Sequence, residues 1–506
     1  MTNRTFRTLV CLELALVCSA LMPFRALGQG SNDPLANVQK LLQVLSSNGF
    51  EWRQGTFRIL DPVSMACTDR GDGKTYIPST WYNNVQPYLS ILLPGYYWDP
   101  VPWEAAHRAI PVNYLLRQDE AILVVGSTPP PMAYYSFQTM LFARYNPATS
   151  SYDPALGGFF QPYEATVAYL GDTVNSLTVR TTGSTPYNRP MVFISTGNRQ
   201  TLERLRASLH AAGYADAVIN TETLPPSLVR FGYETGDQFL FTMRLAIAAG
   251  GDQAFNDFEQ AVANGSVMQV FRVRPHTEFS KDPLPAPVLR TRGTGQTEMD
   301  LYPTMEKLRQ AILAHFGTGF NAQELDTFLP DSIPEGYPAI QRGIAYMGPG
   351  RDGSAGYGRD ANYWVSDWFD LGANDFAIIY GVDHAATGKA TYSSAAVYLD
   401  KKIAAGVSDV NSGDFAKHPG TANSYLSGEP GLDKFYVWKV ARSCNGQQGC
   451  LEAKLLRPEH IANCGMKIAA DAPVRIGFRQ YAEPPTKVGP ADAELLYDRV
   501  IVFRPK

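Results

Sequence analysis

The chain has 506 residues, 45% of them hydrophobic and 12% aromatic, which excludes bulk disorder and, at roughly 100–200 residues per domain, points to about three domains. Charged residues make up only 18%, against a usual share of about 25%, and 43 Gly with 36 Pro suit a β-rich, turn-dense protein. A formal net charge of −4 with no basic tail excludes nucleic acid as partner, because phosphate binding needs a Lys/Arg surplus on one face.

Arg4 and Arg7 precede an apolar stretch from Leu9 to Met22, and Ala26-Leu27-Gly28 supplies small residues for cleavage, so residues 1–28 read as a secretory signal peptide. About 14 apolar residues interrupted by Glu13 are too few to span a bilayer, which needs roughly 20. Neither Cys11 nor Cys18 has the preceding small residue of a lipoprotein signal. Cleavage removes Arg4, Arg7 and Arg25 but only one acid, Glu13, taking the net charge from −4 to −6. The expectation is a secreted or periplasmic protein with no membrane association after signal removal. Cys67, Cys444, Cys450 and Cys464 then remain, an even set that favours disulfides in an oxidising compartment. Cys444 and Cys450 enclose Asn-Gly-Gln-Gln-Gly, a turn able to bring them together, and Cys67 with Cys464 is the second expected pair.

The mature chain opens with a helix over Leu35–Leu45 that stops at Ser46-Ser47-Asn48-Gly49. From Ala121 the pattern is strand-like: Ala121–Val125 ends at Gly126, Pro129-Pro130-Pro131 turns the chain, and Ala133–Tyr145 forms a long aromatic strand. Two more strands are expected within Glu164–Thr182, broken at Gly171-Asp172. Residues 29–190 therefore read as an N-terminal helix and a first β-module. Met191–Thr196, a helix over Arg199–Ala212 and Ala217-Val218-Ile219 give a βαβ-like signal. Its junction Ser195-Thr196-Gly197-Asn198 lacks the Gly-x-Gly-x-x-Gly of a dinucleotide site and reads as a helix cap. Further helices are expected over Asp252–Ala263 and Met305–Phe316, with a strand over Val267–Val273, so residues 191–330 read as an α/β insertion. Residues 331–506 read as a second β-module with a disulfide-bearing insertion.

The outer modules share an order of motifs. Asn113-Tyr114, Ala121–Gly126 and Tyr135-Ser136 are echoed by Asn362-Tyr363, Ala377–Gly381 and Tyr392-Ser393, and Phe142-Ala143-Arg144-Tyr145 by Phe478-Arg479-Gln480-Tyr481. The expected fold is α+β and β-rich: two antiparallel β-sandwich or jelly-roll-like modules, related by duplication, flanking a mixed α/β segment. A cleft between two such modules is the natural ligand site.

The chain contains no Gly-x-Ser-x-Gly elbow, His-Glu-x-x-His, Walker loop or Cys-x-x-Cys-His. Its seven His are scattered singly. Two polar constellations stand out. In Val382–Lys389, His384 with Asp383 beside it, and Lys389 and Tyr392 across the same hairpin, could form a general acid/base group; the alternative is a hairpin in which Asp383 caps amides and His384 is solvated. In Gly348–Asp360, a glycine-rich loop, Arg359 and Asp360 could contact a ligand or the loop could hold Ca²⁺, though a surface turn with local Arg–Asp pairs also accounts for it. Arg144, Arg244 and Asp172 are lesser ligand-binding candidates. Tyr/Trp clusters, among them Tyr363-Trp364, could stack on sugars or form core. No cofactor is implied beyond that Ca²⁺ alternative. The functional expectation is a hydrolase- or lyase-type enzyme with a cleft between β-modules, acting on a small-molecule or glycan ligand. The alternative is a non-catalytic extracellular binder of glycans or small ligands.

Overall fold

The computed structural model describes residues 34–60, 88–94, 113–146, 151–153, 168–328, 358–401, 405–417, 421–455 and 468–506. The signal segment, Cys67, Cys464 and loop residues 348–357 lie outside the described residues.

The described residues form a β-rich α+β protein with four sheets. Sheet I runs β1 (Phe50–Gln54), β12 (Met268–Pro275), β4 (Ala121–Ser127), β9 (Pro190–Thr196), β10 (Ile219–Thr223). Sheet II runs β2 (Thr56–Leu60), β3 (Tyr88–Leu92), β11 (Gln238–Ala248), β5 (Met132–Asn146), β6 (Ser151–Asp153), with β7 (Ala168–Tyr169) and β8 (Val174–Asn175) also on β5. Sheet III runs β13 (Phe320–Leu325), β22 (Arg499–Pro505), β16 (Phe376–Val382), β19 (Phe435–Ala441), β20 (Cys450–Glu452). Sheet IV runs β14 (Thr327–Phe328), β15 (Ala361–Ser366), β21 (Val474–Tyr481), β17 (Tyr392–Leu399), β18 (Ala405–Asn411). The order of sheet III repeats that of sheet I, and the order of sheet IV repeats the five-strand path of sheet II, strand for strand in chain order. Sheets I and III each end in a parallel pair, β9 with β10 and β19 with β20; their other pairings are antiparallel.

The residues read as an α/β insertion thus supply strands to all four sheets. β9, β10 and β12 complete sheet I, β11 lies inside sheet II, and β13 and β14 begin sheets III and IV. The parallel β9/β10 pair is joined through a helix, as the local βαβ pattern predicts, but both strands extend a sheet already begun by β1 and β4.

Apolar alternation sets the layers. Helices α1 (Val38–Ser47) and α2 (Arg199–Ala212) cover one face of sheet I through Leu41, Leu45, Leu205 and Leu209 on Leu123, Val192 and Ile194. Asn198 caps α2 by accepting the Thr201 N–H at 3.0 Å, and Gly213 ends it at φ +105°, where a residue with a Cβ would be strained. The other face of sheet I meets sheet II through Ile122, Val124 and Phe193 on Phe137, Phe241 and Leu89, with α3 (Gly251–Ala263) closing this core through Phe258 and Val262. The second half is built alike: α4 (Tyr302–Phe316) lays Met305, Leu308 and Ile312 on Ile378, Ile501 and Phe503 of sheet III. The opposite face of sheet III meets sheet IV through Ile379, Val440 and Val502 on Val397, Ile476 and Phe478. Sheets II and IV each keep one face outside these cores, and those faces meet. Tyr134 of β5 and Tyr481 of β21 have ring centroids 5.2 Å apart, and Arg244 of β11 pairs with Asp360 at 2.9 Å.

Candidate functional site

The hairpin expected to hold an acid/base group is an interior brace. His384 is 1% exposed, and its Nδ1 lies 2.9 Å from Glu298 Oε1 while Nε2 sits 3.7 Å from Asp498. Burial opposes the imidazolium, but the two carboxylates outweigh it and push the pKa up to about 10. Glu298 in turn accepts from Thr387 Oγ1 at 2.6 Å and Leu496 N–H at 3.0 Å; against the penalty of burial, His384 holds it below the usual carboxylate range. Asp498 also accepts from Trp364 Nε1 at 3.0 Å and the Tyr436 hydroxyl at 2.5 Å. Asp383 does not touch the ring; it caps the turn by accepting the Ala385 N–H at 3.0 Å. Lys389 is also buried, donating to Thr294 at 3.0 Å, Glu483 at 2.9 Å and Glu494 at 2.6 Å.

The expected ligand contacts are likewise mostly ion pairs. Arg144 grips Asp237 with two hydrogen bonds of 3.0 and 2.8 Å and donates to Leu228 O at 2.7 Å. Arg359 donates to Asp172 at 2.7 Å and to Arg290 O at 2.5 Å, bridging the two halves. Asp360 accepts from Arg244 and from the Tyr134 hydroxyl. Of the sequence-predicted residues, Arg244, Asp360, Tyr363 and Tyr392 stand at the layer where sheets II and IV face each other, Tyr392 with its ring 5.5 Å from Tyr481. Among the described residues no group of three or more His, Cys, Asp or Glu is arranged to hold a metal ion. Cys444 and Cys450 form a disulfide with Cα atoms 5.7 Å apart, as the spacing predicts.

The facing layer is where the polar chemistry concentrates, and strand register builds it. On sheet II, Arg244 of β11 is flanked by Tyr88 of β3 and Ser136 of β5, with Thr242 opposite Gln138 one step along. On sheet IV, Arg479 of β21 is flanked by Tyr363 of β15 and Ser394 of β17, with Gly477 opposite Ala396 and Ala396 opposite Asp409 of β18. Each half therefore presents a cross-strand Tyr–Arg–Ser row, on strands holding matching places in the two sheet orders. Adjacent strand residues alternate faces, so the neighbours Phe137, Phe241, Met243, Ala395 and Phe478 point into the cores.

Around Arg479 the phenols close in. Its Nη2 donates to the Tyr398 hydroxyl at 2.5 Å, and its guanidinium lies 5.9 and 5.8 Å from the Tyr363 and Tyr398 rings. Burial works against the Arg479 charge, but the phenols of Tyr398, Tyr481, Tyr88 and Tyr363 hold its pKa above the ordinary value. Burial pushes the Tyr398 hydroxyl up to about 12, and Tyr481 and Tyr134 well above their usual value. Asp409 is the exception among the carboxylates of this layer. Both its oxygens are shielded from water without a hydrogen-bond partner, and burial pushes its pKa up to about 7, with Arg479 pulling it down and Asp414 adding to the rise. The Ser136, Thr242 and Ser394 hydroxyls and both ends of the Gln138 amide are also buried and unpartnered. Tyr88 and Tyr363, half-buried, mark where the layer approaches solvent.

Sequence reasoning flagged Arg244 and Tyr363 but not Gln138, Thr242, Ser394, Tyr398 or Asp409, and met Ser136 and Arg479 only as parts of an echo. The available signal was the alternation of polar and aromatic residues with core residues along β5, β11, β17 and β21. A cavity of about 560 Å³ beside Leu371, Leu399, Leu455 and Ile468 is a weaker candidate. Of the two cations lining it, Arg442 and Lys454, Arg442 donates to the carbonyls of Leu371, Ala453 and Ala472.

No protein-family model matches the chain, and no curated protein does. Among solved structures it is similar to an uncharacterized protein from Burkholderia cenocepacia, at 11% identity over 93% of this chain and 87% of that one, with a TM-score of 0.36. It is also similar to a Vibrio parahaemolyticus protein, at 10% identity over 92% of this chain and 95% of that one, with a TM-score of 0.37. The chemistry of the site is therefore read from its own residues.

Proposed function

We propose that this is an exported protein that binds an acidic, hydroxyl-rich ligand, a saccharide fragment bearing carboxylate or sulfate in class, between the outward faces of sheets II and IV. In this reading the halves are duplicated helix–sheet–sheet units of the β-sandwich or jelly-roll type, and the ligand lies where their corresponding faces meet. Support for the duplication is the repeated strand order and the matching Tyr–Arg–Ser rows. Support for export is the signal-like segment at residues 1–28, with the Cys444–Cys450 disulfide.

One observation carries the ligand reading: Ser136, Gln138, Thr242, Ser394 and Asp409 present buried, unpartnered polar atoms to a layer that also holds two guanidiniums. A buried polar group left without a partner costs about 1–3 kcal/mol, so such a cluster is explained best by a ligand that satisfies it. Arg244, paired with Asp360, and Arg479 make the layer one that favours an anionic substituent, and the Tyr rings offer faces for sugar C–H groups. The direct test is titration calorimetry of the full mature chain against matched neutral, uronate-containing and sulfated oligosaccharides. Binding of an acidic member, weakened at least tenfold in Gln138→Leu and Ser394→Ala, is expected; equal or absent binding across the set would refute the assignment.

A further inference from the structure

We infer that the open end of the sandwich of sheets III and IV binds a free alkyl carboxylate of the fatty-acid class, at a site separate from the layer between sheets II and IV. Strands β15, β17, β19 and β20 end there, and β16 and β21 begin there. The opposite end, where β16 ends and β22 begins, is plugged by the buried His384 and Asp498. At the open end the sequence supplies no such plug: Leu371 is followed by Gly372 and Ala373, and Ile468 by Ala469 and Ala470. Side chains this small leave the cavity of about 560 Å³ that they line, a volume inside the roughly 300–1,000 Å³ of small-molecule sites. Leu371, Leu399 and Ala453, buried members of the sandwich core, form its floor, and the half-buried Leu455 and Ile468 pack against the same core as its walls.

An apolar floor and walls take an alkyl chain, and the charged side chains of the lining select its head group. These are Arg442, Lys454 and Asp471, two cations against one acid. The Arg442 guanidinium donates to the carbonyls of Leu371, Ala453 and Ala472 at 2.9, 3.1 and 2.5 Å and makes no ion pair among the described residues. Those bonds staple together the segments that enclose the cavity, so Arg442 is a fixed charge that attracts an anion through space without releasing any of its partners. Burial opposes that charge more than Asp471 and Asp370 support it, and its pKa is held below the ordinary value; an anion close by relieves the imbalance. Lys454 is exposed at the mouth and makes no hydrogen bond or ion pair among the described residues, and its flexible stem lets the ammonium follow a carboxylate. With the alkyl chain on Leu371, Leu399 and Ile468, the carboxylate stays at the mouth beside Lys454, in water, where it incurs little desolvation penalty. Asp471, exposed on the same rim, opposes the anion and weakens the site.

The experiment is titration calorimetry of the full mature chain with decanoate below its micelle concentration, and with octanoate, decanol and decyltrimethylammonium alongside. Decanoate should bind once per chain, roughly tenfold tighter than octanoate because each buried methylene adds a similar increment. It should also bind roughly threefold or more tighter than decanol or the cation. Ala373→Trp and Ala470→Trp, at exposed positions on two segments of the lining, fill the cavity without touching the core, and each should weaken decanoate roughly tenfold or more while thermal unfolding is unchanged. Lys454→Gln should weaken decanoate roughly threefold and Asp471→Asn should tighten it by a similar factor, as expected of exposed charges. Gln138→Leu, in the layer between sheets II and IV, should leave decanoate binding as it is; a loss there would place the ligand in that layer and overturn the inference. Absence of decanoate binding, or binding that survives both tryptophan substitutions, overturns the site. Decanol or the cation binding as tightly as decanoate, or no response to either charge substitution, overturns the carboxylate as head group and the inference with it.

Discussion

Asp409 is a carboxyl that the fold holds at its own expense, and the expense is measurable. Its pKa is raised from about 3.8 to about 7 in the folded protein. An acid with a raised folded pKa favours the folded state only while protonated, so below about pH 3.8 it is neutral in both states and contributes nothing. Between there and about pH 7 the unfolded chain ionises while the folded one does not, and stability falls by about 1.4 kcal/mol per pH unit. At pH 8 the accumulated penalty is about 4 kcal/mol, and at pH 5 it is under about 2 kcal/mol. Asp409→Asn keeps the shape and removes the titration, so it should be more stable than wild type, by a margin that widens by about 3 kcal/mol from pH 5 to pH 8. Urea unfolding followed by tryptophan fluorescence at the two pH values measures that margin. A margin that stays constant, or a variant less stable than wild type at pH 8, would mean the carboxylate is well solvated or paired, and its place among the unpartnered groups of the layer would fall with it.

Other parts of the structure make equally definite demands. His384→Gln leaves Glu298 and Asp498 buried without their cation and should lose about 3–5 kcal/mol at pH 7 by denaturant unfolding. Because the His384 pKa is raised to about 10, its contribution is fully present below about pH 6.5 and lost as pH climbs through about 10; the variant should lack that alkaline loss, and the wild-type ring should still titrate as an imidazolium at pH 8 by NMR. Gly381→Ala would set a Cβ 2.0 Å from Asp498 Oδ1 and should destabilise by about 1–3 kcal/mol in thermal unfolding. Opening the Cys444–Cys450 disulfide, which closes a loop of sequence separation 6, should lower stability by about 2 kcal/mol when reduced and oxidised forms are compared in urea.

Much of the local structure was legible because its causes are local. The Leu41, Leu42 and Leu45 stripe, the Asn198 cap and the apolar runs at Ala121 and Met191 each specify an element without help from distant residues. The motif order shared by Ala121–Gly126 and Ala377–Gly381, and by Tyr135-Ser136 and Tyr392-Ser393, falls on β4 with β16 and β5 with β17, which hold matching places in their sheets. The Phe142 and Phe478 echo falls instead on β5 and β21, which do not. Sheet membership escaped sequence reasoning because a βαβ pattern fixes a crossover but not which sheet receives it. The site escaped for a similar reason: a polar alternate position on a strand reads the same whether that face meets water or another sheet. His384 looked catalytic beside Asp383, but its ring partners, Glu298 and Asp498, lie far away in sequence.

The position of the polar layer, beside the aromatic cluster of Tyr134, Tyr392 and Tyr481 but outside the helix–sheet and sheet–sheet cores of each half, has a consequence for how such a protein can change. A substitution at Ser136, Gln138, Thr242 or Ser394 opens no cavity in the cores that hold each half together. Side chains there can be exchanged one at a time, with the strands, their register and the helices left as they are. A lineage carrying this architecture could move from one ligand to another without passing through poorly folded intermediates, and with two corresponding faces it could alter one while the other keeps hold of what it already binds.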